Sequence, residues 1–303
     1  KDSAAFSIFQ LSYSINLAGV GKFEEALQAV NSFLKIPGLN ERSIQSALYR
    51  KKCYEFAIHF NKTTPSYQIQ PVNLGDSINS SASEYYPSLT LNDSLFVFTQ
   101  RAEGIRENFM QSKKLSTGFS KATLIKGSLN EQPSKGALHI SQDGAWLLFA
   151  GNFPQNNFGN FDLYISYYTL SGWSEPLNLG AHINTEFWES SPSLSPDKTT
   201  LYFSSDRPGG YGGKDLYVSY RQSNGQWGEP INMGASINTN GDELAPFIHA
   251  DNETLYFTSN GLPVYGNTDL YMIKKDTTGN WGSPQNLGYP INTIDDEGSL
   301  FIA

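Results

Sequence analysis

The side chains able to do chemistry are few, and most of them recur at fixed intervals. Four histidines, His59, His139, His182 and His249, are scattered through 303 residues. No two have metal-ligand spacing, and none joins a serine or cysteine in a nucleophile motif. Cys53 is the sole cysteine, so no intrachain disulfide can form. The carboxylates behave differently. Asp162, Asp215 and Asp269 each precede Leu-Tyr, and Asn108 takes the corresponding place upstream. A residue present in every copy of a unit serves what every copy needs, here a side-chain cap on a turn. Glu84, Glu189, Glu243 and Glu297 form a second column, broken by Lys135. Clustered carboxylates suit a cation, but a lysine among them spoils the cage. Solvated or lysine-paired glutamates at the entrance to an inner strand are the expectation.

Residues 209–214 superficially suggest a phosphate loop. Pro208 stands where its first glycine belongs, and Asp215 where Ser or Thr should follow the lysine. No G-x-S-x-G elbow and no sialidase-type box occurs. The sequence therefore leads to the expectation of a chain with no catalytic residue, no cofactor and no metal.

These columns belong to a repeated unit. Ile183-Asn184 returns as Ile237-Asn238, Leu201-Tyr202-Phe203 as Leu255-Tyr256-Phe257, and Trp227 as Trp281; one step back stand Leu129-Asn130, Phe149 and Trp173. The Ile/Leu-Asn column runs 78, 129, 183, 237 and 291. A period near 50 residues with several short strands in each is the mark of a β-propeller. In the third copy, residues 191–195 read as a small-residue inner strand, and residues 196–199 as a turn begun by Pro196-Asp197. Residues 200–204 and 215–220 read as β-branched and aromatic strands. Ser223-Asn224-Gly225 reads as a hairpin turn, and residues 226–233 as an outer strand anchored by Trp227. Trp173, Trp227 and Trp281, like the three aspartates, are taken as structural repeat positions. Four complete blades and part of a fifth fit the text, which implies a natural ring of five or six. Residues 67–74 match the outer-strand segment, yet no blade precedes them. They are expected to complete a blade begun elsewhere.

Residues 1–62 have another grammar. Phe23, Ala26, Leu27, Val30, Phe33 and Leu34 recur at helical spacing. Glu24 and Glu25 suit a helix start, Pro37-Gly38 ends the helix, and Asn40 can cap a second one over residues 43–60. The expected organisation is thus a helical domain over 1–62 and a propeller over 63–303, mainly β with a small α part. The net charge of −8 argues against nonspecific nucleic-acid binding. No apolar run approaches the roughly 18 residues of a membrane span. The first residue is Lys1, which suggests that further residues precede it.

Two stretches carry a family resemblance. SPDKTTLYFSSDRPGGYGGKDLYVS at 195–219 and GQWGEPINMGASINT at 225–239 resemble the WD40-like PD40 repeat of TolB-type propellers. Gly21-Lys22-Phe23-Glu24-Glu25-Ala26 with Pro37 resembles a tetratricopeptide (TPR) repeat. Helices of this kind followed by PD40 blades are similar to outer-membrane proteins of Bacteroidota that end in an OmpA-type peptidoglycan-binding domain, among them PorE-type components of the type IX secretion system. The resemblance implies a scaffold at the periplasmic face of the outer membrane, with a lipid as its candidate anchor. Its implied partners are other envelope or secretion-system proteins, and peptidoglycan only through a domain absent from this sequence. The alternatives are a TolB-like or glycan-binding propeller, or the regulatory propeller of a hydrolase.

Recognition usually resides in irregular loops on a rigid frame. Arg101, Glu103, Arg106 and Glu107 in one such loop, Asn156 and Asn157 in another, and Trp188 are the candidate partner-binding residues. The same resemblance makes Asp76-Ser77-Ile78, Asp93-Ser94-Leu95 and Asp276-Thr277-Thr278 candidate O-glycosylation triplets.

Overall fold

The computed structural model describes residues 9–64, 69–102, 106–131 and 134–302. It divides into two compact units. One comprises Lys1–Pro71, Leu262–Leu270 and Asn286–Glu297; the other comprises Val72–Gly261, Tyr271–Gln285 and Gly298–Ala303.

Among the described residues the first unit holds three helices: α1 (Gln10–Gly19), α2 (Phe23–Phe33) and α3 (Glu41–Thr63). Phe23, Ala26, Ala29, Val30 and Phe33 form the buried stripe of α2, with Glu24 and Glu25 in its first turn. The Asn40 side chain accepts the Ser43 N–H at 2.9 Å and caps α3. That helix is longer than expected at both ends. Its buried residues Ala47, Cys53, Tyr54 and Ala57 share a core with Phe23, Val30, Tyr265 and Ile294. Tyr265 is the centre of this core. Its ring lies 5.5 Å from Phe23, 5.5 Å from Phe56 and 6.0 Å from Phe60. Its hydroxyl donates to Asn61 at 2.5 Å. Tyr49 donates to the Gly266 carbonyl at 2.8 Å and Arg50 to that of Ile294 at 3.0 Å. The helices therefore pack on residues that lie more than two hundred positions away in the chain.

The strands form four antiparallel blades of a propeller. The first blade is β1 (Ser83–Leu89), β2 (Leu95–Arg101), β3 (Glu107–Lys113) and β4 (Thr123–Leu124). The second is β5 (Lys135–Ile140), β6 (Trp146–Gly151), β7 (Asp162–Thr169) and β9 (Leu177–Asn178), with β8 (Gly172–Trp173) as a short hairpin return from β7. The third is β10 (Glu189–Leu194), β11 (Thr200–Ser205), β12 (Asp215–Tyr220) and β13 (Ile231–Asn232). The fourth is β14 (Glu243–Ile248), β15 (Thr254–Ser259), β16 (Asp269–Lys274) and β17 (Gln285–Asn286). Facing strands stack aromatic pairs in register: Phe149 on Tyr164 at 5.9 Å and Phe203 on Tyr217 at 6.0 Å. Leu148, Leu163, Ile183, Leu201 and Phe203 join the second blade to the third in one core.

The expected outer strand at 226–233 shrinks to Ile231–Asn232. Pro230 lacks a ladder donor, and the Gly228 N–H turns back to the Tyr220 carbonyl at 2.9 Å. Trp227 and Trp281 instead make isolated bridges to Arg221 and Lys275. Each inner strand carries a bulge. Tyr86, Ala137, Ser191 and Ala245, one per blade, adopt φ of 50°, 49°, 57° and 50°. The pairing of β10 with β11 accordingly skips between Ser190 and Ser193. Of the strand expected at 67–74, residues 67 and 68 lie outside the described residues. Residues 69–74 belong to none of the four sheets.

Candidate functional site

The repeated aspartates organise a polar relay. Asp215, 1 % exposed, accepts the N–H groups of Tyr211 at 2.6 Å and Gly212 at 3.1 Å. It also accepts the Asn232 amide at 2.7 Å. The Asn232 carbonyl oxygen takes the Gly234 N–H at 2.8 Å and the Asn238 amide at 2.8 Å. Asn238 then clamps Leu216 from both sides, accepting its N–H at 2.8 Å and donating to its carbonyl at 3.0 Å. The same chain of bonds runs Asp162–Asn178–Asn184–Leu163 and Asp269–Asn286–Asn292–Leu270. The aspartates thus cap turns and seat the outer strand on the third. The asparagines had no role assigned from sequence, although the Asn-x-Gly and Asn-x5-Asn intervals repeat in the text.

The glycine preceding each aspartate by three has a steric cause. A Cβ on Gly212 would lie 2.2 Å from the Gly241 carbonyl oxygen, and one on Gly159 would lie 2.4 Å from that of Phe187. Gly212 and Gly213 let consecutive repeats approach, with backbone bonds such as Gly213 N–H to Gly241 O at 2.8 Å.

The glutamate column differs from its expectation. Glu189 and Glu243 are fully buried, not solvated. Glu189 accepts from the Thr185 N–H and hydroxyl at 2.8 and 2.7 Å and from Ser205 at 2.8 Å, with Arg207 at 3.2 Å. Glu243 takes the Thr239 N–H, the Thr239 hydroxyl and Ser259 at 2.7 Å each. Enough donors converge to hold a buried carboxylate, so the column is a set of loop caps. Lys135 inverts the pattern: it is fully buried, and burial pushes its ammonium down to about 8. Its Nζ donates to the Glu107 carbonyl oxygen and lies 5.3 Å from the Phe109 ring.

Glu297 is less well served. Its Oε1 accepts from the Thr293 hydroxyl at 2.7 Å, while its buried Oε2 has no partner among the described residues. Burial pushes its carboxyl up from 4.5 to about 7, with Asp269 and Asp295 adding repulsion. Between those values the folded chain holds a proton that the unfolded chain has lost. Stability is expected to fall as pH rises through that window, and Glu297→Gln to remove this part of the slope. Melting temperatures of both proteins at about pH 5 and about pH 7.5 check this; parallel changes in the two would refute it.

The candidate partner-binding residues fall in several settings. Arg101 binds Glu107 at 2.8 Å and the Tyr85 hydroxyl at 3.2 Å, and Tyr85 also donates to Glu107. Arg106 is exposed and donates to the Asn130 carbonyl at 3.2 Å. Glu103 lies outside the described residues. Asn157 is an internal loop brace: it accepts from Phe153 N–H at 3.1 Å and from Tyr164 at 2.6 Å. Asn156 is exposed, and its carbonyl accepts from Tyr164 and Asn178. Trp188 is half-buried with the Lys214 ammonium 5.5 Å from its ring. In the glycosylation triplets, Ser94 and Thr277 are exposed and Ser77 is half-buried.

Residues missed from sequence stand beside these. Four positions before each aspartate is an aromatic: Phe158, Tyr211 and Tyr265. Phe158 is 50 % exposed, Tyr211 52 % and Tyr265 0 %. His139 borders a cavity of about 50 Å³ lined by Leu89, Leu194, Phe247 and Phe301 among others. Burial pushes the His139 ring down to about 4, opposed by a hydrogen bond to the Leu194 backbone. Burial also pushes the Cys53 thiol up to about 11. Alkylation of the folded chain at about pH 8 is therefore expected to be slow and to become fast in denaturant. A thiol titration tests this, and rapid labelling without denaturant would contradict it.

Among the described residues, no three His, Cys, Asp or Glu side chains gather as a metal site. Nor is any helix long and apolar enough to cross a membrane.

No family model matches the chain, and no curated protein matches it. Solved structures similar to it include TolB from Acinetobacter baumannii, 18 % identical with a TM-score of 0.47. That match covers 69 % of this chain but only 45 % of that one. A putative TolB from Agrobacterium tumefaciens is 16 % identical with a TM-score of 0.48, covering 72 % of each chain. An α-L-arabinofuranosidase from Lactobacillus brevis is 14 % identical with a TM-score of 0.44, covering 70 % of this chain and 77 % of that one. The likeness is one of fold. Because it extends to a glycosidase and to peptidases, the expectation of a chain without catalytic function is corrected. The fold gives no ground for excluding an enzyme.

Proposed function

We propose that this chain is a protein-interaction propeller whose repeat loops hold helical partners at the cell envelope. The observation that carries the reading is the aromatic column Phe158, Tyr211 and Tyr265. In one copy the aromatic is wholly buried against Phe23, Phe56 and Phe60 of a helical layer. In two copies the same position presents a half-exposed ring. A large aromatic on a rigid loop makes an efficient anchor, because little conformational freedom is lost on binding. The finer reading is a scaffold of the type IX secretion system at the periplasmic face of the outer membrane, with TPR-like helices at 1–62 as a second binding surface. It is supported by the order of those helices and PD40-like blades. A TolB-like envelope protein without a secretion role is the rival.

The test is site-specific photo-crosslinking from positions 158 and 211 in the native host. Secretion-channel or ring proteins captured there, and lost from Phe158→Ser and Tyr211→Ser chains that remain folded, are the expected result. Capture confined to other envelope proteins would favour the rival. Absence of any envelope partner from a folded chain would defeat both.

A further inference from the structure

The loop that Asp215 caps presents a socket that is filled in another copy of the repeat. There Asp269 accepts the Tyr265 and Gly266 N–H groups at 2.8 and 3.3 Å, as Asp215 accepts those of Tyr211 and Gly212. A Cβ on Gly266 would lie 2.2 Å from the Asp295 carbonyl oxygen, and one on Gly212 2.2 Å from that of Gly241. The two copies thus hold three groups in one frame. These are an aromatic ring, the glycine carbonyl, and the carbonyl of Ile294 or Asn240.

Helix α3 fills the socket around Tyr265. Tyr49 donates to the Gly266 carbonyl and Arg50 to that of Ile294. Phe56 and Phe60 pack on the Tyr265 ring, and Asn61 accepts its hydroxyl. Tyr49, Cys53, Phe56 and Phe60 fall at i, i+4, i+7 and i+11, on one helical face. The socket around Tyr211 offers its groups to solvent. Tyr211, Gly212 and Asn240 are exposed. Among the described residues no hydrogen bond reaches the Tyr211 hydroxyl or the carbonyls of Gly212 and Asn240. The remaining copy is poorer: Phe158 has no hydroxyl, and the Gly159 carbonyl already accepts the Asn157 amide at 3.2 Å. Charge favours the same kind of occupant. α3 carries five Lys and Arg to two Glu, and such a helix is drawn to a chain of net charge −8.

Within the interaction role proposed above, on which this rests, we propose that Tyr211 and the carbonyls of Gly212 and Asn240 dock a basic amphipathic helix of a separate protein. That helix bears Tyr-Arg followed, at the spacing of α3, by two phenylalanines and an asparagine. A second copy of this chain is not the occupant, because its own α3 face is spent on Tyr265. The rings supply affinity, and the two fixed carbonyls set the rotation of the helix. Asp215 already holds the loop, so little freedom is lost on docking.

The probe is a fluorescent peptide with the sequence of residues 41–64, stapled on the side opposite Tyr49 and Phe56 and shown to be helical by circular dichroism. It is titrated into the full chain and followed by anisotropy. Saturable binding is expected, weakened about tenfold or more by Tyr211→Ala in the protein. Tyr49→Phe or Arg50→Ala in the peptide is expected to weaken it about threefold to tenfold. Tyr168→Ala removes an exposed tyrosine outside the socket and is expected to leave binding unchanged. Circular dichroism establishes that both protein variants are folded. No binding, or binding indifferent to Tyr211, overturns the proposal; the second result includes displacement of α3 from Tyr265. Either failure concerns the helix alone, since partners photo-crosslinked from position 211 would still support an interaction loop of another specificity.

Discussion

Replacing Asp215 by alanine is expected to lower the free energy of unfolding by about 3–5 kcal/mol. The carboxylate is the acceptor for three donors, at 2.6, 3.1 and 2.7 Å, in a site 1 % exposed. Alanine leaves all three unmet, and each buried donor so stranded costs about 1–3 kcal/mol. Tyr211 sits on an exposed loop, so water can reach part of the gap, which keeps the total toward the lower end. Asp215→Asn retains one acceptor oxygen but adds two donors, and a loss about half as large is expected. Urea unfolding followed by tryptophan fluorescence measures both. A loss below about 1 kcal/mol for the alanine variant would show that the cap is dispensable.

A paired substitution separates an asparagine that clamps a strand from one that does not. Asn238→Ala should cost about 2–4 kcal/mol, because it removes a two-sided clamp on Leu216 and strands both backbone groups. Asn79→Ala at the corresponding position should change stability by less than about 0.5 kcal/mol. Among the described residues its one side-chain bond is the exposed contact with Asn73. The comparison holds residue type and repeat position constant, so only the presence of a clamped strand differs. Equal losses at the two positions would mean that the asparagine acts through its own turn, and not through the neighbouring strand.

Read in order, the sequence by itself determined the repeat and most of what each repeat does locally. The Leu-Tyr-Phe and Asp-Leu-Tyr runs fall on β11, β12, β15 and β16 because alternation and β-propensity are short-range. Asn40 and the α2 stripe were legible for the same reason: a cap and a helical face are settled within a few residues. Even the aspartates as turn caps followed from recurrence alone.

Tertiary structure decided what identical local text becomes. Glu189 and Glu243 read as solvated or lysine-paired carboxylates until Thr185, Ser205, Thr239 and Ser259 converged on them. Those donors lie as far as sixteen residues off, on a different strand. The left-handed backbone at Tyr86, Ala137, Ser191 and Ala245 has no composition signal, since glycine is absent from all four positions. It arises from the inner-strand pairing that imposes the bulge. Phe158, Tyr211 and Tyr265 are the clearest case. Their repeat positions are the same, yet only Tyr265 is covered, because the helices that bury it come from the other end of the chain. A repeat encodes its own folding many times over; burial depends on which neighbour arrives, and that is a property of long-range packing that no single copy contains.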